Sequence, residues 1–137
     1  MKDGCENLLC KSKANFDLAL ELKENGKFNA AANRFYYSVF QAVKAYAVLK
    51  GKMGMDDRND VHATASEIVK NTEKQYHRTI RDACNLRIKS DYLKEDVGKN
   101  ELDLNFVSQM QSMRNHFETL ANQHDERRKY GVFFSNR

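Results

Sequence analysis

The sequence predicts an all-α domain, an up-and-down bundle of four principal helices with a short additional helix. Proline is absent and glycine occurs only six times in 137 residues, so the residues that interrupt helices are nearly missing. Apolar residues recur at three- and four-residue steps through most of the chain, which is the period of an amphipathic helix. A chain of this length can bury the core of such a bundle without a metal or a disulfide.

The first helix has one apolar face, which should end at a turn near Asn25 and Gly26. That face comprises Cys5, Leu8, Leu9, Ser12, Phe16, Ala19 and Leu20. Asn25 and Gly26 both tolerate positive φ and therefore favour a helix end. Because the apolar period restarts at Phe28, a tight turn should join the first two helices.

The second helix, predicted from Phe28 to Lys50, carries two neighbouring apolar stripes. The first stripe is Phe28, Ala31, Phe35, Val39, Ala42, Val43, Tyr46 and Leu49, and the second is Tyr36, Phe40 and Ala47. A helix that is apolar on more than one side packs against several neighbours, so we expect this helix at the centre of the bundle. The polar stretch from Gly51 to Asp60 should be an exposed loop and the most mobile connection.

Three further helices follow. A short one carries Val61, Ala65, Ile68 and Val69, and the next, from about Thr72, carries Tyr76, Ile80, Ala83 and Cys84. The last runs from near Asn100 to about Gln123 and carries Leu102, Phe106, Met110, Met113, Phe117 and Leu120. We therefore assign residues 1–124 to the bundle and residues 125–137 to a charged and aromatic tail. The tail's apolar residues, Tyr130, Val132, Phe133 and Phe134, should fold back on the bundle or dock on a second subunit.

Composition narrows the classes of function. The net charge of +4 permits contact with phosphate but is lower than a dedicated nucleic-acid-binding protein usually carries. The three cysteines lack metal-ligand spacing, and we expect no metal or other cofactor. There is no apolar stretch of the ~20 residues that a membrane span requires and no apolar signal segment. The sequence therefore predicts a cytoplasmic protein that does not enter a membrane.

Two charged residues lie on the inward face of the fourth predicted helix. Arg87 and Asp91 continue the direction set by Tyr76, Ile80 and Ala83, since each residue turns by ~100° around a helix. One helical turn apart, they can form an ion pair. The pair could fix packing or subunit register. Alternatively, the guanidinium could hold a phosphate while Asp91 orients it, with Tyr92 nearby.

Tyr36 and Tyr37 are adjacent and therefore cannot both face the same core layer. One interpretation is that one ring packs inside while the other reaches a hydrogen-bond partner with its hydroxyl. The other is that Tyr37, Arg34 and Arg87 border one cleft, where a base could stack and a phosphate could be held. The sequence contains no nucleophile elbow, glycine-rich phosphate loop or paired-carboxylate arrangement.

Two motifs in this order resemble those of HEPN domains. Residues 31–46, whose core is Arg34, Tyr36, Tyr37 and Phe40, resemble the signature helix of that family. The run Leu-Arg-Ile-Lys-Ser-Asp-Tyr at residues 86–92 is similar to the Arg-x-x-Ala-Asp-Tyr motif of one HEPN branch, with Ser90 at the alanine. The resemblance covers roughly residues 8–122. It implies a helical bundle that forms a homodimer through helices that include the motif helix.

The resemblance also bears on catalysis. In HEPN ribonucleases four to six residues separate an arginine from the histidine that follows it, whereas here the corresponding window after Arg87 holds Tyr92, Leu93 and Lys94. The general base that would activate a ribose 2′-hydroxyl is missing. Arg58 and His62 have a similar spacing, but Arg58 lies in the predicted loop, and we expect His62 to serve in capping or packing.

The leading hypothesis is therefore a non-catalytic HEPN-type module that binds a nucleotide, RNA or a small nucleotidyltransferase partner. The resemblance implies such pairs, which often belong to defence or toxin–antitoxin systems. A metal-independent ribonuclease with a divergent active site is one alternative. A structural dimerisation domain, in which Arg87 and Asp91 only hold the interface together, is the other.

Overall fold

The described residues form a bundle of five α-helices. The computed structural model describes residues 4–93 and 95–129, with side chains up to residue 125. The helices are α1 (Cys5–Glu24), α2 (Phe28–Leu49), α3 (Val61–Thr72), α4 (His77–Tyr92) and α5 (Leu104–Lys129). Two short 3₁₀ turns, Lys74–Tyr76 and Lys99–Leu102, precede α4 and α5. The predicted all-α class is confirmed, and the described residues contain no strand.

Helices α1 and α2 form the predicted tight hairpin. Gly26 has a φ of 75°, a left-handed conformation that glycine adopts without a steric penalty. The N–H of Lys27 donates to the carbonyl of Leu22 at 2.8 Å and that of Gly26 to Lys23 at 3.0 Å. These bonds satisfy carbonyl groups that the end of α1 would otherwise leave free.

Helix α2 is the central element, as predicted from its two apolar stripes. It contacts each of the other four helices. Phe35 is fully buried and meets Phe16 of α1 and Phe106 of α5 edge-on, with ring centroids 5.8 and 5.6 Å away. These aromatic contacts place the core between α1, α2 and α5.

Several predicted boundaries differ from the structure. Helix α4 begins at His77 because the 3₁₀ turn occupies the residues just before it. Helix α5 begins at Leu104, where the carboxylate of Asp103 accepts a hydrogen bond from the N–H of Phe106 at 2.8 Å. Such a bond caps a helix start. In the predicted exposed loop after α2, Met53 is buried in the core, so this loop is anchored to the bundle.

The end of the last helix also differs from the prediction. Helix α5 continues to Lys129 and crosses residues 124 and 125 without a break. The aromatic residues of the proposed tail, from residue 130 onward, lie outside the described residues. Within the described part of the chain, no helix combines the length and the apolar character that crossing a membrane would require.

Candidate functional site

Arg87 projects from α4 into the bundle, and only 9% of the residue is exposed. Its guanidinium carbon lies 5.3, 5.8 and 5.9 Å from the ring centroids of Tyr36, Tyr37 and Tyr92. Aromatic faces attract a cation at such distances. The prediction that Arg87 points inward is therefore correct, and three tyrosines surround the charge.

Asp91 lies at the rim of this cluster, with 30% of its side chain exposed. Its Oδ2 is 3.8 Å from Nη1 of Arg87, a distance that allows charge attraction but exceeds that of a hydrogen bond. The carboxylate instead accepts hydrogen bonds from the Asn33 amide at 2.9 Å and the Ser90 hydroxyl at 3.2 Å. The expected ion pair with Arg87 is thus present without a direct hydrogen bond.

Arg34 approaches the same cluster from α2. Its guanidinium carbon lies 5.6 Å from the Tyr37 ring centroid, so two guanidiniums are within 6 Å of that one ring. Arg34 donates to the side-chain oxygens of Asn15 at 3.2 Å and Asn33 at 2.9 Å. Both partners are neutral, and among the described residues Arg34 forms no ion pair. The described residues therefore do not neutralise its positive charge.

The five side chains proposed from the sequence come together in the structure. Arg34, Tyr37, Arg87, Asp91 and Tyr92 form what we call the Arg87 cleft. Whether they bind a ligand or a second subunit stays a prediction. Asn33, which links Arg34 to Asp91, was missed, because an asparagine on a helix has no recognisable sequence signal.

The hydrogen bonding of Arg87 differs from that of Arg114, which is also buried. Arg114, 6% exposed, donates to the Glu118 carboxylate at 2.7 Å, to Ser12 at 3.3 Å and to Asn115 at 2.8 Å. By contrast, Nε of Arg87 is buried and has no hydrogen-bond partner among the described residues. An unsatisfied buried donor costs free energy, so Arg87 has binding capacity that the described chain does not use.

His62 joins the cluster from the start of α3. Its Nδ1 and the hydroxyl of buried Tyr36 are 2.5 Å apart. Its ring packs against that of Phe40, with the ring centroids 4.8 Å apart. Packing was one of the two roles expected for His62. The sequence interpretation of the tyrosines was wrong in one respect, since the buried Tyr36 itself makes the hydroxyl hydrogen bond while Tyr37 lies between the arginines.

The electrostatics of the cluster follow from burial and from Arg87. Burial raises the pKa of Tyr36, and the nearby Cys84 adds to this effect. Burial also lowers the pKa of His62, and the positive charge of Arg87 lowers it further. Burial opposes the charge of Arg87, but the nearby Tyr37 and Tyr92 outweigh it, so the pKa of Arg87 is raised. At neutral pH the cluster therefore holds a cationic arginine, a neutral imidazole and a neutral phenol.

The described residues of this cluster do not form a metal site. Within residues 4–93 and 95–125, no group of three or more histidine, cysteine, aspartate or glutamate side chains is arranged to hold a metal ion. The groups that could act on a ligand here are two guanidiniums, one carboxylate, one imidazole and the tyrosine rings.

Comparison with known families agrees with the motifs and the helical architecture. The family model for the HEPN domain matches residues 5–119, which is most of the chain. No curated protein matches the chain. The match identifies the family without distinguishing its branches. The chain therefore belongs to the HEPN domain family.

Proposed function

We propose that this protein is a non-catalytic HEPN-type module that binds a phosphate group of a nucleotide or of RNA in the Arg87 cleft. The single observation that carries the proposal is the buried guanidinium of Arg87, whose Nε lacks a hydrogen-bond partner among the described residues. A phosphate oxygen can accept hydrogen bonds from a guanidinium in a planar, paired geometry.

The charges around the cleft support an anionic ligand. Two guanidiniums, those of Arg34 and Arg87, lie next to one ring. Among the described residues, Arg87 has an ion-pair partner, Asp91, and Arg34 has none. A phosphate would compensate the remaining positive charge. Asp91 is held by Asn33 and Ser90, so it can orient Arg87 without occupying its donors.

One residue of the cleft, Tyr92, lies at the surface of the bundle. Tyr92 is 72% exposed, although its ring lies 5.9 Å from the guanidinium carbon of Arg87. Exposed tyrosine rings can stack on the bases of single-stranded nucleic acid. A ligand with a phosphate on Arg87 and a base stacked near the cleft would be a nucleotide.

One observation favours the alternative of a metal-independent ribonuclease. The sequence after Arg87 lacks a histidine, but His62 contacts Tyr36, whose ring lies 5.3 Å from the guanidinium carbon of Arg87. A neutral imidazole is the form required of a general base. Its Nδ1 is already engaged with Tyr36, so only Nε2 is left to accept a proton.

The proposal also includes the protein partners of this chain. We expect a homodimer, because family members commonly pair and because Tyr92 and Leu93 expose apolar surface beside the cleft. A small nucleotidyltransferase is the proposed protein partner, in a defence or toxin–antitoxin system of the cytoplasm. If Arg87 and Asp91 serve only this pairing, the protein is a structural dimerisation domain.

The test compares binding and cleavage of RNA by wild-type protein and Arg87→Ala. Fluorescence anisotropy with a labelled RNA pool, in the presence of a metal chelator, should show binding by the wild type that Arg87→Ala weakens about tenfold or more, since hydrogen bonds to charged groups are lost. Gel electrophoresis of the same samples should show intact RNA.

The matched control is Arg78→Ala, which removes an exposed arginine from the same helix. It should keep nearly all of the affinity. RNA cleavage that depends on Arg87 would establish the ribonuclease instead. Equal affinity of wild type and Arg87→Ala would exclude the cleft as the binding site. Loss of dimer or of helical circular dichroism in Arg87→Ala would point to the structural role.

A further inference from the structure

A small hollow lies between α3 and α4, next to the Arg87 cleft but outside it. Its volume is about 190 Å³. Helix α3 contributes His62 and Ser66, helix α4 contributes Cys84 and Asn85, and Tyr36 of α2 also lines it. We call this space the α3/α4 hollow. None of the residues in the Arg87 cleft lines it.

The side chain of Tyr36 lies between the α3/α4 hollow and the Arg87 cleft. The ring of Tyr36 lies 5.3 Å from the guanidinium carbon of Arg87, and its hydroxyl lies 2.5 Å from Nδ1 of His62. Cys84 precedes Arg87 by three residues on α4, which places both on the same face about one turn apart. A ligand phosphate on Arg87 would therefore be close to any group that enters the hollow.

The walls of the hollow combine flat and apolar surface with free polar groups. His62 and Tyr36 supply aromatic rings, and Ile80 supplies apolar surface. The Ser66 hydroxyl and the Asn85 amide have no side-chain partner among the described residues. A hydroxyl and an amide can each donate and accept, and asparagine can pair with the edge of a base. These features fit a planar group with a polar edge.

The charge at the mouth favours an anionic ligand as well. Arg81 lines the hollow and forms no ion pair within the described part of the chain. Among the described residues that line the hollow, none is acidic. A planar group attached to a phosphate would thus meet a positive mouth and the guanidinium of Arg87.

We propose that the α3/α4 hollow holds the base of the nucleotide whose phosphate binds Arg87. This inference rests on the proposed function, because the proposed function supplies the position of the phosphate on Arg87. The ligand class is a nucleobase linked to a phosphate, either as a free mononucleotide or as one residue of an RNA strand.

Calorimetric titration of the full-length protein tests the proposal with three probes. Ribose 5-phosphate supplies the phosphate without a base, adenosine 5′-monophosphate adds one base, and the RNA trinucleotide AAA places the base in a strand. Adenosine 5′-monophosphate or the trinucleotide should bind about tenfold or more tightly than ribose 5-phosphate, because a stacked base contributes substantially. A gain in affinity with adenosine 5′-monophosphate would indicate a free nucleotide as the ligand. A gain confined to the trinucleotide would indicate RNA.

Two substitutions fill the hollow from opposite sides. Ser66→Leu on α3 and Asn85→Leu on α4 should each remove the gain from the base while leaving the affinity for ribose 5-phosphate unchanged. Asn71→Leu, an exposed asparagine of α3 that does not line the hollow, is the matched control and should retain the gain. Since Asn85 is exposed, Asn85→Leu provides a second variant should Ser66→Leu fail to fold.

The outcomes separate this inference from the proposed function. If all three probes bind with equal affinity and Arg87→Ala weakens each of them, the hollow is not a base site. The proposed phosphate site on Arg87 is then supported. If the gain persists in both leucine variants and disappears in Tyr92→Ala, the base stacks at Tyr92 and the inference is wrong. If no probe binds the wild type, the proposed function fails and this inference fails with it.

Discussion

Arg87 and Arg114 are both buried, yet their surroundings assign them different roles. Arg114 donates to Glu118, Ser12 and Asn115 and so fixes the contact between α5 and α1. Arg87 meets three aromatic rings and a carboxylate at 3.8 Å. Periodicity predicted the inward direction of Arg87, but it could not reveal the hydrogen bonds, since these depend on residues of other helices.

His62 should make the stability of the protein depend on pH. Its pKa in the folded protein lies below the ordinary value of 6.5, so the unfolded chain binds its proton more readily. The stabilising contribution of the neutral imidazole is complete above about pH 6.5 and decreases as the pH falls toward the folded-state pKa. Urea denaturation should show a loss of unfolding free energy between pH 7.5 and pH 5.5 that is smaller in His62→Gln.

Comparison of the two proteins at each pH isolates this effect from other titrating groups. The difference in unfolding free energy between wild type and His62→Gln should change with pH in that interval. A difference that stays constant would mean that His62 has the same pKa in the folded and unfolded states.

At the scale of elements, the α1–α2 turn requires a left-handed residue. Gly26 has a φ of 75°, and apart from its chain neighbours no heavy atom of the described residues lies within 4 Å of the position that a Cβ would take. Gly26→Ala should therefore destabilise the protein by about 1 kcal/mol, through backbone strain rather than a clash. Urea denaturation measures this change.

Gly98→Ala is the matched control for that substitution. Gly98 has a φ of −89°, and a Cβ there would make only an ordinary contact with Glu101 at 3.7 Å. Its unfolding free energy should remain close to that of the wild type. Equal losses in the two variants would refute the role assigned to the left-handed turn.

Helix ends were predicted less well than helix faces. The sequence placed the fourth helix near Thr72 and the last near Asn100, whereas 3₁₀ turns occupy Lys74–Tyr76 and Lys99–Leu102 before the α-helices begin. Apolar spacing of three and four residues fits either type of turn over such a short range. The side chain of Asp103, which caps α5, was the signal that could have located that boundary.

At the scale of the whole molecule, Phe35 joins three helices. It is fully buried and contacts Phe16 and Phe106. Phe35→Ala should lower the free energy of unfolding by about 3–5 kcal/mol, because it removes buried surface and leaves a cavity. Chemical denaturation followed by circular dichroism measures the loss.

Leu104→Ala provides the comparison, since Leu104 is 82% exposed. Its removal should change the stability by no more than about 0.5 kcal/mol. A small effect of Phe35→Ala, similar to that of Leu104→Ala, would contradict the placement of Phe35 at the centre of the core.

The sequence by itself determined the all-α class, the hairpin at Gly26, the central position of α2 and the inward direction of Arg87. Each follows from the direction of side chains along a single helix, which residue spacing encodes. Only the tertiary structure decided that Arg34 and Arg87 flank Tyr37 and that His62 reaches Tyr36. Those contacts depend on how separate helices pack, and the residues involved are up to 53 positions apart in the chain.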